Sequence, residues 1–365
     1  MEGCALNEEI KRAQDAWSKC SHAIVHAVTT GWHGDKWQAH RKTMPTTGAS
    51  SVPSLVGDNP YAGPYSVWAK TKDLTPPFDG NDRTRRGHEI EYWIRREAAR
   101  RLGCDYISHP AAFSPKIGTC REIKIIFGNP NAVHMSTNLD GLIWPDEDAL
   151  PSILECKSTD NFKVKGALHS LRESGKKPSD LTSATYYWAQ TQSQMACLGW
   201  NHAYLAAVVG SEAMSFMLCK MPCLEKDWYL IRIPRDDDYI ALIERKTEEF
   251  WDRFIIGREV PPLMGRDWMC LKDMYAQARP GSEMHLSEVL LPTCEAYYEA
   301  KQEEESLQGK KSSKDTEARA SAKRRKNRAW VVLMDAIKTC EVAHCGPFTV
   351  KWYNRSDGRV FVVKK

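Results

Sequence analysis

The segment SILECKST (152–159) places two charges at alternate positions of a stretch that otherwise reads as a core strand. Side chains alternate across a strand, so Glu155 and Lys157 share one face while Cys156 points to the other. Charges in such a setting need partners, because burying an unpaired ion is costly. A second strand-like segment, HMSTNLDGLIW (134–144), carries Asp140 just before Leu142-Ile143-Trp144. The acidic, proline-bounded stretch PDEDALP (145–151) joins the two, and together they read as a β-hairpin with a loop longer than the tightest type. In that pairing Asp140 sits across from Glu155, and three charged groups converge on one face. An E-x-K triplet alone is common by chance. The apolar flanks separate this one from an ordinary exposed sheet face.

Two carboxylates and a lysine in this arrangement suit phosphodiester hydrolysis, which needs a divalent cation to activate water and neutralise charge. Mg²⁺ is a hard cation that takes oxygen ligands, and Mn²⁺ can substitute for it. The candidate ligands are Asp140, Glu155 and the backbone carbonyl of Cys156. Lys157 is the candidate for orienting or deprotonating water, or for stabilising developing charge. Upstream, GHEIEYWIRREAARRL (87–102) reads as a helix whose stripe of Glu91, Ile94, Ala98 and Leu102 puts a carboxylate at the head of an apolar face. Downstream, SATYYWAQTQSQMACLGW (183–200) reads as a helix with Tyr187, Gln190 and Gln194 on one face.

The net charge of +4 permits nucleic-acid binding without arguing for it. The cysteines run from Cys4 to Cys345 with no CxxC, which argues against a zinc knuckle. Reduced, buried thiols are expected, with an iron–sulfur cluster built from distant cysteines the less favoured alternative. No apolar run is long enough to span a bilayer and the first residues lack a signal-peptide core, so an intracellular protein is expected, in the cytoplasm or a eukaryotic host's nucleus. Residues 1–30 are expected to be an N-terminal helix, 31–270 the catalytic domain, and 271–365 a charged helical extension ending in a β-hairpin, FTVKWY-NRSDG-RVFVVKK. Arg83, Arg85, Arg86, Arg95, Arg96, Arg100 and Arg101 could edge a DNA groove but read mostly as solvated helix faces. KRRK (323–326), which could serve nuclear import or contact phosphate, reads likewise as solvated helix.

Several pieces occur in an order that resembles the YqaJ-like viral recombinase family, which includes phage lambda exonuclease and lies within the PD-(D/E)XK nucleases. They are WQAHR (37–41), TGASSVPSLVGDNPY (47–61), RRGHEIE (85–91), LDGLIW, LECKST and YWAQTQSQM (187–195), closed by DWYLIRIPRDDDYIALIERKTEEFW. The resemblance implies a restriction-endonuclease-like α/β fold: a mixed central sheet of about five strands flanked by helices, with a mainly helical C-terminal extension. It implies Asp140 and Glu155 as metal ligands, Lys157 as the water-activating or charge-stabilising group, and Glu91 as a helix carboxylate supporting the metal. Gln190 would position water or phosphate, while Ser50, Arg41 and Arg86 would contact DNA and its terminal 5′-phosphate.

The function so implied is a Mg²⁺-dependent exonuclease on double-stranded DNA ends, running 5′ to 3′, in recombination or viral DNA processing. A single-strand annealing protein and a ring-shaped homo-oligomer are the expected partners, with no membrane. The alternatives are a structure-selective or helicase-associated endonuclease of the same fold, and a non-catalytic DNA-end-binding protein.

Overall fold

The structure, a computed structural model, describes residues 18, 21–30, 44–76, 82–104, 106–107, 123–143, 145, 152–218, 225–310, 312–355 and 358–365. It divides into two compact units, one of residues 1–60 and 78–257, the other of residues 61–77 and 258–365. The first begins with β1 (Ile24–Thr30), β2 (Thr47–Gly48) and the one-turn helix α1 (Val52–Leu55). Helix α2 (Pro64–Thr71) belongs to the second unit, and the chain re-enters the first as α3 (Asp82–Leu102). There follow β3 (Tyr106–Ile107), β4 (Ile123–Gly128), β5 (Met135–Thr137), β6 (Gly141–Ile143) and β7 (Ser152–Thr159). Next come α4 (Val164–Ser174), α5 (Ser183–Leu198), β8 (His202–Val209), α6 (Ser211–Leu218), β9 (Trp228–Pro234) and α7 (Asp237–Phe250).

Five strands form the central sheet in the order β3-β6-β7-β8-β9, parallel at β7–β8 and antiparallel elsewhere. One face packs Leu154, Cys156, Ala206 and Val208 against Ile90, Ile94 and Ala98 of α3. The other packs Ile153, Leu205 and Ala207 against Leu168 and Leu171 of α4 and Trp188 of α5. Both faces are therefore covered, which is why β8 (HAYLAAVV) reads as a nearly continuous apolar run and why the charges of β7 stand out. This is the expected mixed α/β sheet flanked by helices. A smaller sheet, β1-β4-β5-β2, stands in the same unit.

Three expectations change. Residues 134–144 are not one strand: β5 pairs in the smaller sheet and β6 in the central one, and Asn138-Leu139-Asp140 is the break between them. Asn and Asp before Gly favour a turn over a ladder, so the strand yields there. Within 1–30, Ile24–Thr30 is strand β1, antiparallel to β4; its β-branched IVHAVTT suits a pleated surface better than a helix. Apart from Ser18, residues 1–20 lie outside the described ones. The first unit closes at Gly257 rather than near 270, and residues 61–77 are shared out to the second.

Helix α5 is the least predictable in its packing. It is polar in composition, yet Gln190, Thr191, Gln192, Ser193 and Gln194 are all buried. Thr191 and Ser193 satisfy their hydroxyls on carbonyls of the previous turn, and Gln192 spans to Pro234 O and Asp236 N at 2.8 and 2.9 Å. The helix stops at Gly199, whose φ of 74° is left-handed and whose amide returns to Met195 O at 2.8 Å. A Cβ there would also lie 2.7 Å from the His22 ring, so glycine is required twice over.

The second unit contains α2, α8 (Trp268–Met274), β10 (Glu283–His285), α9 (Leu291–Ser306), α10 (Ser313–Ile337), β11 (Val342–Cys345), β12 (Phe348–Arg355) and β13 (Gly358–Lys364). The final hairpin forms as expected, Arg355 pairing with Gly358, and extends a four-stranded sheet β10-β11-β12-β13. The unit has its own core, with Tyr65 and Ala69 of α2 packed among Leu271, Leu333, Phe348, Val350 and Trp352. Buried Asp267 accepts from the Gly63 and Ser66 amides at 2.8 and 3.2 Å, fastening α2 to this core. In KRRK, Arg325 and Lys326 pair with Glu303 and Glu304 of α9, while Lys323 and Arg324 are exposed.

Candidate active site

Strand β6 pairs with β7 through Gly141–Leu154, so Asp140 leaves the ladder opposite Glu155. Asp140 Oδ2 accepts the main-chain N–H of Cys156 at 2.9 Å, a bond that a longer β6 would have made with its backbone. The amide and carbonyl of a strand residue lie on the same edge. Among the described residues no strand pairs with β7 beyond Leu154 on that edge, which leaves the Cys156 carbonyl open toward Asp140.

Glu155 is fully buried and its carboxylate is held at both oxygens. Gln190 Nε2 donates to Oε1 and Gln194 Nε2 to Oε2, each at 2.6 Å, and Lys157 pairs with Oε1. The Lys157 ammonium also lies 5.6 Å from the centre of the Tyr187 ring. Four residues spacing Gln190 from Gln194 bring both amides onto one helix face, opposite a single carboxylate. Glu91 approaches from α3, ion-paired with Arg95, and Arg95 Nη1 donates in addition to the Asp140 carbonyl at 2.9 Å.

Burial pushes the Glu155 carboxyl up to about 7, the charge of Asp140 adds to this, and Lys157 and Gln194 oppose it. Burial likewise raises Glu91 to about 8, reinforced by Asp140 and opposed by Arg95. Burial works against the Lys157 ammonium, yet Glu155 and Asp140 hold it protonated above the usual lysine range. The site thus has more negative charge than its two cations comfortably balance. Gln190 Oε1, Gln194 Oε1 and Arg95 Nε are buried without a hydrogen-bond partner. Such groups in a native protein call for water or an ion. Asp140, Glu155, Glu91 and the Cys156 carbonyl offer oxygen donors only, which suit a hard divalent cation such as Mg²⁺ better than a soft one. Among the described residues no group of three or more Asp, Glu, His or Cys side chains is placed to hold an ion, so such a cation would keep several waters.

The structure therefore brings together Asp140, Glu155, Lys157, Gln190, Glu91 and Cys156. Arg86 is 3.7 Å from Asp160, one residue past the end of β7, at the same end of the strand as Lys157. Ser50 is exposed on the turn that follows β2. Because β2 runs parallel to β5, with Gly48 opposite Ser136, the turn to Ser50 and the segment to Asp140 leave the same end of one ladder. Arg41 lies outside the described residues.

Arg95 is the residue that sequence reasoning misassigned. Grouped with solvated arginines, it is only 3% exposed. Its spacing of four from Glu91 was the available signal. The buried stripe of α3 is Ile90, Ile94 and Ala98, and Glu91 with Arg95 forms its flank.

Residues 36–201 match the family model of the YqaJ-like viral recombinase domain, a span that includes all of these site residues. The uncharacterized protein YqaJ of Bacillus subtilis strain 168 is 23% identical over 270 residues, which are 73% of this chain and 70% of that protein. Among solved structures, the alkaline exonuclease LHK-Exo from Laribacter hongkongensis has a TM-score of 0.40 at 19% identity, over 61% of this chain and 94% of its own. A phage-related exonuclease from Haemophilus somnus 129PT has a TM-score of 0.37 at 13% identity, over 59% of this chain and 96% of its own.

Proposed function

We propose that this chain, which carries a YqaJ-like viral recombinase domain, is a divalent-metal-dependent exonuclease that degrades double-stranded DNA from its ends. The observation carrying this reading is the meeting of Asp140, Glu155 and Lys157 where β6 ends and β7 continues. A buried cluster of this charge is unfavourable by itself and becomes reasonable as a receptor for a cation and a phosphate.

Asp140, Glu155 and the Cys156 carbonyl, supported by Glu91, would hold Mg²⁺ or Mn²⁺. When bound, the metal supplies a more acidic water and neutralises charge on the phosphate oxygens. Hydrolysis adds water across one P–O bond and leaves a phosphate monoester and a hydroxyl. Lys157 is held as ammonium, so in this arrangement it offers charge stabilisation rather than a free base. Gln190 and Gln194 fix the Glu155 carboxylate so that it need not reorganise during the reaction.

Preference for an end rests on Ser50 and Arg41, with Arg86 contacting the strand. A terminal phosphate carries close to two negative charges against one for an internal diester, so turn amides, a hydroxyl and an arginine favour the end. The 5′ to 3′ direction, an annealing-protein partner and a ring-shaped oligomer belong to the same proposal through the family resemblance. The test compares digestion of matched linear duplexes bearing 5′-phosphate or 5′-hydroxyl with a covalently closed circle. Fast, slow and absent cleavage, in that order, supports the reading. Equal rates on all three would mean an endonuclease.

A further inference from the structure

Arg95 carries an inference beyond the ligands themselves, and it rests on the metal-nuclease reading above. Its guanidinium is almost wholly buried against the Glu91 carboxylate, which also feels the charges of Asp140 and Glu155. One nitrogen, Nη1, reaches both the Glu91 carboxylate on α3 and the Asp140 carbonyl in the break between β5 and β6. Those two segments are 45 residues apart in the chain, and this bond joins them at the site. The Nε has no partner, so the side chain has not been recruited for its full hydrogen-bonding capacity.

A fixed cation here opposes the binding of another cation. If affinity for metal depended on charge alone, an apolar residue of similar length would serve the site better. A buried ion pair is also weak evidence for stability, since well-packed apolar side chains often do as well. What an apolar residue cannot do is hold the Glu91 carboxylate and the Asp140 main chain in one fixed relation.

We propose that Arg95 is a positioning residue that presets Glu91 and the Asp140 segment for the divalent ion. Charge and positioning then predict opposite signs. Removing the guanidinium makes the site more negative, which by charge alone tightens metal binding. Loss of ligand orientation weakens it, and partners that orient metal ligands typically account for about 10- to 100-fold in affinity.

The experiment measures Mn²⁺ affinity of the full chain without DNA, by titration followed by electron paramagnetic resonance, for the wild type, Arg95→Met and Arg95→Lys. Thermal melts report folding in parallel. The expected result is affinity about 10-fold or more weaker in Arg95→Met. Arg95→Lys should also lose affinity, though less, because an ammonium keeps the charge without the planar fork. If Arg95→Met does not fold, Arg95→Lys decides alone. A merely structural role would lower the melting temperature and leave the folded protein's affinity unchanged. Unchanged or tighter binding in a folded variant overturns the proposal. A wild type that binds no Mn²⁺ removes the nuclease reading and this proposal with it, a result distinct from a failure confined to the variants.

Discussion

Asp140 reaches from the end of one strand to the main-chain amide of Cys156 in the next, Oδ2 to N at 2.9 Å. The contact ties a candidate metal ligand to the peptide between two others, Glu155 and the Cys156 carbonyl. Asp140→Asn should keep this geometry only in one amide orientation and loses the anion in both. It is expected to abolish hydrolysis with little change in melting temperature. Lys157→Ala should cost on the order of 10²-fold or more in turnover, as losses of acid–base or charge-stabilising groups do. Single-turnover digestion of a linear duplex, with circular dichroism as the control for folding, measures both.

The glutamines of α5 separate chemistry from scaffolding. Gln190→Ala and Gln194→Ala each remove one hydrogen bond from the Glu155 carboxylate, so turnover should fall in both while DNA affinity holds. Gln192 faces away, bonded to Pro234 and Asp236. Gln192→Ala leaves that amide and carbonyl unsatisfied, costing roughly 1–3 kcal/mol of stability with turnover unchanged. Equal, mild effects on turnover in all three would make the helix scaffold alone.

The buried carboxyls predict an unusual pH dependence for the metal-free protein. Glu155 and Glu91 are raised from an ordinary 4.5 to about 7 and about 8. Between these values the folded protein holds protons that the unfolded chain has released. The stability these groups contribute is therefore present below about pH 4.5 and lost as the pH rises through 7 and 8. Burial causes most of both rises, Asp140 adds to them, and Lys157 and Arg95 oppose them. Melts in EDTA should show a falling melting temperature from pH 6 to 8, and Mg²⁺ should restore more at pH 8, since binding releases the protons. A melting temperature that climbs over this range in EDTA would contradict the assignment.

Much of this site was legible before the fold, for a physical reason. Charges in an apolar strand cannot be read as decoration, so Glu155, Lys157 and Asp140 announced themselves, and the spacing of Gln190 and Gln194 gave one helix face. Arg95 was not legible as a buried group, because an arginine among Arg96, Arg100 and Arg101 looks solvated until packing shows which side faces the sheet. The break at Asn138–Asp140 was missed because residues 134–144 read as one strand, and strand membership in different sheets is a tertiary choice. The boundary at Gly257 was equally out of reach, since α2 joins the second unit across almost two hundred residues of chain.

The second unit's own core decides what truncation should do. A chain ending near Ser287 loses α9, α10 and β11–β13, so Tyr65, Ala69 and Leu271 are stripped of Leu333, Phe348, Val350 and Trp352. Exposing such a core is expected to bring aggregation rather than a tidy nuclease. A solubility and light-scattering comparison with the full chain measures this. A monodisperse, fully active product would mean that the second unit is dispensable.

Asp140, Glu155 and Lys157 are proposed to hydrolyse DNA with a divalent cation. The most direct measurement is release of acid-soluble nucleotide from a linear duplex by wild type and Asp140→Asn, each with Mg²⁺ and with EDTA. Release is expected only from wild type with Mg²⁺, and the two proteins should melt alike. Release by Asp140→Asn at the wild-type rate, or by wild type in EDTA, would contradict it.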